Sequence, residues 1–199
     1  MASILKVDTI QDQSGNNIIN ENADTITIGA SGDTITVPTG ASLTVPNGGL
    51  SGQNYPAFEA YLSSNQSISN NTLTKIQFDT EIFDSDSMYD NSTNYRFTPT
   101  TAGKYFVYSC VMVSQSSNQL EKTRNIIFKN GSEYKRLDFD VGGSGTAESI
   151  VVTNNAIIDF NGSSDYVEIY ALAFTTGTTN IQGSSTYKYN SFGAYRIGD

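Results

Sequence analysis

Residues 104–113 read Lys-Tyr-Phe-Val-Tyr-Ser-Cys-Val-Met-Val, and this run decides the fold class. Along a β-strand successive side chains point to opposite faces. That places Tyr105, Val107, Val111 and Val113 on one face and Phe106, Tyr108, Cys110 and Met112 on the other. A surface helix would need apolar positions at i, i+3, i+4 and i+7 with polar residues between them, and no stretch of the chain sustains that period. A strand with one wet face alternates more strictly, so a run that is apolar on both faces calls for cover on both. Tyr105, Val107, Val111 and Val113 are therefore expected in the core or in a trimer interface, with another subunit as the second cover.

The composition extends this reading to the whole chain. Ser, Thr and Asn make up about a third of the 199 residues, and charged residues only 16%. The apolar set is rich in Ile, Val, Tyr and Phe, which suit pleated surfaces. An all-β protein is expected. The 12 Tyr and 10 Phe all lie from Tyr55 onward. Residues 1–54 lack the apolar bulk for a core of their own and must be anchored, disordered or intertwined with copies of themselves.

Within that aromatic-free part, Asp24-Thr-Ile-Thr-Ile28 recurs as Asp33-Thr-Ile-Thr-Val37, and Leu43-Thr-Val45 repeats the alternation. Val37-Pro-Thr-Gly40 and Val45-Pro-Asn-Gly48 follow, with Pro placed for the second position of a tight turn and Gly for the fourth. Residues 21–54 thus read as short strands and turns whose apolar edges need partners, met by three copies around an axis in a fibrous β-shaft.

The counts also exclude chemistry. With 0 His and one Cys there is no Ser-His-Asp or Cys-His unit and no imidazole or thiolate metal site. A carboxylate-only hydrolase is conceivable, but scattered Asp and Glu in an acidic chain do not define one, so no catalytic residue is assigned and the protein is read as non-enzymatic. A net charge of -9 with only 11 Lys and Arg speaks against nucleic acid. No apolar run approaches the roughly 18 residues of a membrane span, and Lys6 and Asp8 interrupt the apolar patch near the start, which does not read as a secretory signal.

Residues 57–108 resemble the globular heads of the complement C-one-q family and its tumour-necrosis-factor relatives. AFEAYL and TKIQFD look like that family's first strands, and Phe78, Asp84, Tyr89, Phe97, Gly103 and Tyr105 follow its signature. The Tyr89–Phe97 spacing is one residue longer than the pattern, and Val107 stands where an aromatic is usual. IIFKNG, DYVEIYALAF and SFGAYRI resemble later strands, with Ala194 in the usual place of the closing glycine. The resemblance implies a ten-stranded jelly-roll head over residues 55–199 that assembles as a homotrimer. Residues 1–20, MASILKVDTIQDQSGNNIIN, are similar to leader segments of tailed-phage virion proteins, which implies a segment bound to other virion proteins.

Together these features predict a trimeric tail-fibre or head-fibre protein, assembled in the host cytoplasm and located in the virion. Its head is expected to contact a glycan or protein of the host surface. Capsid decoration or cementing, and a secreted carbohydrate-recognition protein, are the alternatives.

The ten head strands are expected near 56–62, 73–78, 81–83, 94–98, 103–114, 122–129, 133–139, 148–160, 165–174 and 188–197. Strict alternation of direction puts short connections near 79–80, 99–102, 130–132 and 161–164 at the shaft end. Long polar ones near 63–72, 84–93, 115–121, 140–147 and 175–187 fall at a free tip, where binding residues are normally carried. Tyr187 and Tyr189 are candidates for stacking on sugar rings, with Asn180, Gln182 and Ser185 for hydrogen-bonding hydroxyls. Asp84, Asp86 and Asp90, hard oxygen donors at close spacing, are candidate calcium ligands; some heads of the similar family carry calcium. No other cofactor is expected.

Overall fold

The computed structural model describes residues 9–11, 13, 17–22, 25–28, 32–41, 56–117, 119–143 and 145–198. Every regular element among them is a β-strand. The chain divides into two units, Met1–Ser51 and Gly52–Asp199.

In the first unit β1 (Thr9–Gln11), β2 (Asn17–Asn22) and β3 (Thr25–Ile28) form an antiparallel sheet in that order. The first copy of the repeat is therefore a strand, paired within the chain to Asn17–Asn22. The second copy is not: Asp33–Pro38 forms no strand, and Ile35 and Val37 are exposed. The turn after it is also shifted by one residue. The amide of Ala41 donates to the Pro38 carbonyl at 3.0 Å, so Pro38 is first and Gly40, at φ +86°, third. That is the position where a type II turn requires positive φ. Residues 1–8 and 42–55, which hold much of the leader and the third repeat, lie outside the described residues.

The second unit is a β-sandwich. Its strands are β4 (Ala57–Tyr61), β5 (Gln66–Ile68), β6 (Thr74–Lys75), β7 (Thr80–Asp84), β8 (Tyr89–Asp90), β9 (Arg96–Phe97) and β10 (Gly103–Gln115), then β11 (Leu120–Lys129), β12 (Ser132–Asp140), β13 (Ser149–Phe160), β14 (Val167–Thr175), β15 (Thr179–Ile181) and β16 (Ser191–Gly198). One sheet has the order β5-β15-β10-β16-β4-β7, with β13 on the free side of β10; the other has the order β12-β11-β14-β9-β8, with β6 also on β14. Three short strands, β5, β8 and β15, fall where loops were expected, because each is held by a partner strand rather than by its own propensity.

β10 is the centre of the first sheet. Tyr105, Val107, Val111 and Val113 point inward and are fully buried, which makes them core residues. Phe106, Tyr108, Cys110 and Met112 on the other face are only half-buried. The strand starts at Gly103, whose φ of +136° and contact with the Gly198 carbonyl leave no room for a Cβ. At the same end the two sheets are joined by rings. Phe58 stacks on Tyr89 and Phe97 with centroids 4.8 and 4.5 Å away, and meets Phe192 edge-on at 4.9 Å.

Two interior side-chain amides are hydrogen-bonded across the sheets. Asn125 on β11 donates to the Val152 carbonyl at 2.8 Å, and Asn154 on β13 donates to the Asn125 carbonyl at 3.0 Å. The outer face of the second sheet is covered by charge: Lys122 pairs with Asp140 at 2.9 Å, Arg124 with Asp138 at 3.1 Å, and both cations lie over the Phe174 ring. Such ion pairs keep an uncovered face soluble, and each contributes at most about 1 kcal/mol.

One expected reversal is absent. β6 runs antiparallel to β14 and β7 antiparallel to β4, while β4 and β14 both lead away from the end where Pro56 enters. The path from Thr74 to Asp84 therefore keeps its direction while passing from one sheet to the other, with no hairpin at 79–80. Asp79 pins the crossing by accepting from the Ser63 amide and hydroxyl at 2.9 and 2.7 Å. Counting 74–84 as two opposed strands inverted the placement of the next connection. Residues 84–93 lie at the base, beside Pro56, and not at the tip.

Candidate functional site

The tip is built from strand ends that are polar where those at the base are aromatic. Gln115, Thr175 and Thr179 close β10, β14 and the start of β15, and all three are buried. The Thr179 hydroxyl lies 3.1 Å from that of Thr175, the Gln115 side-chain amide donates to Thr175 Oγ1 at 3.5 Å, and the Thr175 amide donates to Asn70 Oδ1 at 3.0 Å. Burying amides and hydroxyls is tolerated because each is paired. Gly177 passes so close over this floor that a Cβ there would lie 2.8 Å from Gln115 Nε2.

Two clefts open above the floor and share Thr178. The first, of about 520 Å³, is lined by Asn65, Ser114, Gln115, Ser116, Glu148, Ser149, Asn180 and Gln182 beside Thr178. The second, of about 500 Å³, is lined by Ser67, Ser69, Asn70, Thr176 and Gly177 among others. Within the first cleft Gln182 Oε1 accepts from the Ser114 hydroxyl at 2.5 Å, which fixes the amide's orientation.

Of the candidate recognition residues, the structure brings Asn180 and Gln182 together in the first cleft. Ser185, Tyr187 and Tyr189 do not line it. The two tyrosines stack on each other, with centroids 5.3 Å apart, and Tyr187 is 70% exposed. The expected 175–187 loop is interrupted by β15, whose Ile181 is in the core.

Asn190, which the sequence reading missed, holds this region in place. It is fully buried, accepts from the Met112 amide at 2.6 Å, and donates to the carbonyls of Met112 and Gln182. It thus completes the ladder of β10 in the gap between its pairings with β15 and β16. A lone Asn before an apolar strand gives no sequence signal for that role.

The acidic run at the base does different work. Asp84 accepts from the amides of Asp86 and Tyr89 at 3.3 and 2.8 Å. Asp90 accepts from the amides of Ser92, Thr93 and Asn94 and from the Asn94 side chain, at 2.7–3.1 Å. Asp84 and Asp90 thus turn their oxygens toward their own loop. Among the described residues no group of three or more acidic or thiol side chains is gathered to hold a metal ion. The Thr93 amide above all, then those of Ser92 and Asn94, holds the Asp90 carboxyl well below the usual range against the opposing effect of burial.

A carboxyl depressed on folding stabilises fully above its unfolded value, near pH 4, and loses that contribution as pH falls through the folded value. Asp90→Ala is therefore expected to melt about 2–4 °C lower at pH 7, with the gap from wild type closing as pH is lowered below about 4. A gap independent of pH would show that the carboxylate does not organise the loop.

The phenols of β10 are raised by burial: Tyr105 in the core to about 12, and Tyr108 on the outer face further, with Glu59 adding to the effect. Burial likewise raises the Cys110 thiol, which makes it a poor nucleophile.

No protein-family model and no curated protein sequence matches the chain. Solved structures do match in fold. Murine APRIL at pH 5.0 superposes with a TM-score of 0.52 at 8% identity, over 71% of this chain and 98% of that one. Eiger TNF from S. frugiperda superposes with a TM-score of 0.51 at 8% identity, over 72% of this chain and 92% of that one. The second unit is thus a jelly-roll sandwich of the tumour-necrosis-factor type.

Proposed function

We propose that the chain is a non-enzymatic structural protein of a tailed-phage virion. In this reading it is a homotrimeric tail-fibre or head-fibre appendage whose head meets the host cell surface with its tip. The observation that carries host contact is the pair of polar clefts at the end opposite the chain's entrance, built on a buried, hydrogen-bonded floor. Among the described residues they gather amides and hydroxyls with one carboxylate, Glu148, and no His, Cys or cation beside it, which suits recognition rather than turnover. The virion setting rests on the resemblance of residues 1–20 to phage leader segments, and residues 21–54 would be the slender connection.

Trimerisation is supported by two unlike surfaces of one chain. The outer face of the β10 sheet exposes Ile157, Val151, Phe83 and Tyr195 around half-buried Phe106 and Tyr108, and the open sandwich edge at β12 exposes Leu137 and Phe139. An exposed apolar sheet face of this kind marks a protein contact. A face that meets an edge on the next copy is a heterologous contact, and such contacts close into a ring where the rotation between copies closes, as a threefold does.

The test is competition for host cells. Purified protein is expected to bind susceptible cells and slow phage adsorption, and Thr178→Arg, between the two clefts, is expected to abolish both while leaving the trimer intact. If wild-type trimers do neither, and virions lacking the protein infect normally but break up more readily, the chain is a capsid decoration protein instead.

A further inference from the structure

We infer that the cleft between Ser114, Ser149 and Asn180 binds a neutral saccharide of the host surface through its vicinal hydroxyls. The inference rests on the host-contact reading above and names the ligand class.

The lining carries the argument by what it contains. Serine hydroxyls, one threonine hydroxyl and the amides of Asn65, Gln115, Asn180 and Gln182 supply both donors and acceptors, and among the described residues no apolar side chain or cation lines the cleft. A peptide anchor needs an apolar pocket to bury a side chain, and this cleft offers none. A sialylated or phosphorylated glycan needs Arg or Lys to offset its charge. Here the single charged group among the described residues is the Glu148 carboxylate, which repels anions and can accept hydrogen bonds from two hydroxyls at once. What remains is an uncharged ligand with a high density of hydroxyls.

The site is also prepared for such a ligand. Gln182 is fixed by the Ser114 hydroxyl, and Gln115 is held by Thr175 and by the Ser117 amide at 2.5 Å. Side chains already ordered in the free protein lose little entropy on binding. A site built to hydrogen-bond hydroxyls discriminates strongly, because a ligand that lacks them leaves buried polar groups unpaired. The cleft volume of about 520 Å³ suits a short sugar segment. Three copies on one appendage raise the effective concentration, so a weak site suffices.

The test uses the full-length protein against immobilised neutral oligosaccharides, with sialylated and phosphorylated ones beside them. Binding is also measured to susceptible cells that are untreated, oxidised with periodate to cleave vicinal diols, or treated with protease. Neutral glycans alone are expected to bind, and cell binding is expected to survive protease and be lost after periodate. Asn180→Ala should weaken glycan binding at least tenfold and Ser149→Arg should abolish it, both with an unchanged melting temperature. Cell binding that survives periodate and is lost to protease overturns the inference while host contact stands, and so does preference for anionic glycans. Absence of binding to untreated cells overturns the host-contact reading itself.

Discussion

If the proposed trimer forms through the outer face of β13, Ile157→Asp is expected to convert it into monomers at micromolar concentration while each chain keeps its fold. In the isolated chain Ile157 is 58% exposed on the outer face of β13, opposite Phe106 on β10. A carboxylate there remains in water, and surface substitutions of that kind usually change stability by no more than about 0.5 kcal/mol. In an assembly that covers this face the same carboxylate is buried without a partner, at a cost of several kcal/mol per copy. The cost recurs at each of three contacts, so the association equilibrium should fall by many orders of magnitude. Sedimentation velocity and light scattering report the state, and circular dichroism the fold. An unchanged trimer, or a wild-type monomer, would count against the proposed interface.

Phe58→Ala should lower the stability of the head by about 3–5 kcal/mol. Phe58 is fully buried at the base, where its ring is sandwiched by Tyr89 and Phe97 and capped by Phe192. Those partners come from both sheets, so truncation opens a cavity at the seam rather than within one layer. Backbone pairing fixes the neighbours and prevents them from closing it. With a typical total of about 5–15 kcal/mol, the loss is a large fraction. Phe58→Leu, which keeps most of the volume, should cost less than half as much. The comparison is made by urea denaturation of the Ile157→Asp monomer, so that dissociation does not enter. A loss below about 1 kcal/mol for the alanine variant would mean that the ring cluster does not join the sheets.

The candidate site was legible only in part. Asn180 and Gln182 were found because polar residues in a long connection at one end of a sandwich are ordinary binding residues. Ser114, Ser116 and Ser149 were not, since they look like solvent-facing strand ends until three strands bring them side by side. At the candidate calcium loop the limit on sequence reading is local. An Asp whose oxygens accept from the amides two to five residues ahead organises its own loop, and the sequence does not show where those oxygens point.

What the sequence determined by itself is whatever a strand's two-residue period records. Alternation placed Tyr105, Val107, Val111 and Val113 on one face, and that face is the core. The spaced aromatics after Tyr55 and Gly103 at the head of the central strand carried the family resemblance that implied the jelly roll. Tertiary structure alone decided where that period is silent about partners. Thr25–Ile28 is a strand because Asn17–Asn22 lies beside it, whereas the nearly identical Thr34–Val37 forms none. The path through 74–84 changes sheets without turning, because β14 and β4 offer it edges in the same direction. Side-chain alternation is a property of one segment, but pairing, direction and the clefts between strand ends depend on segments far apart in the chain.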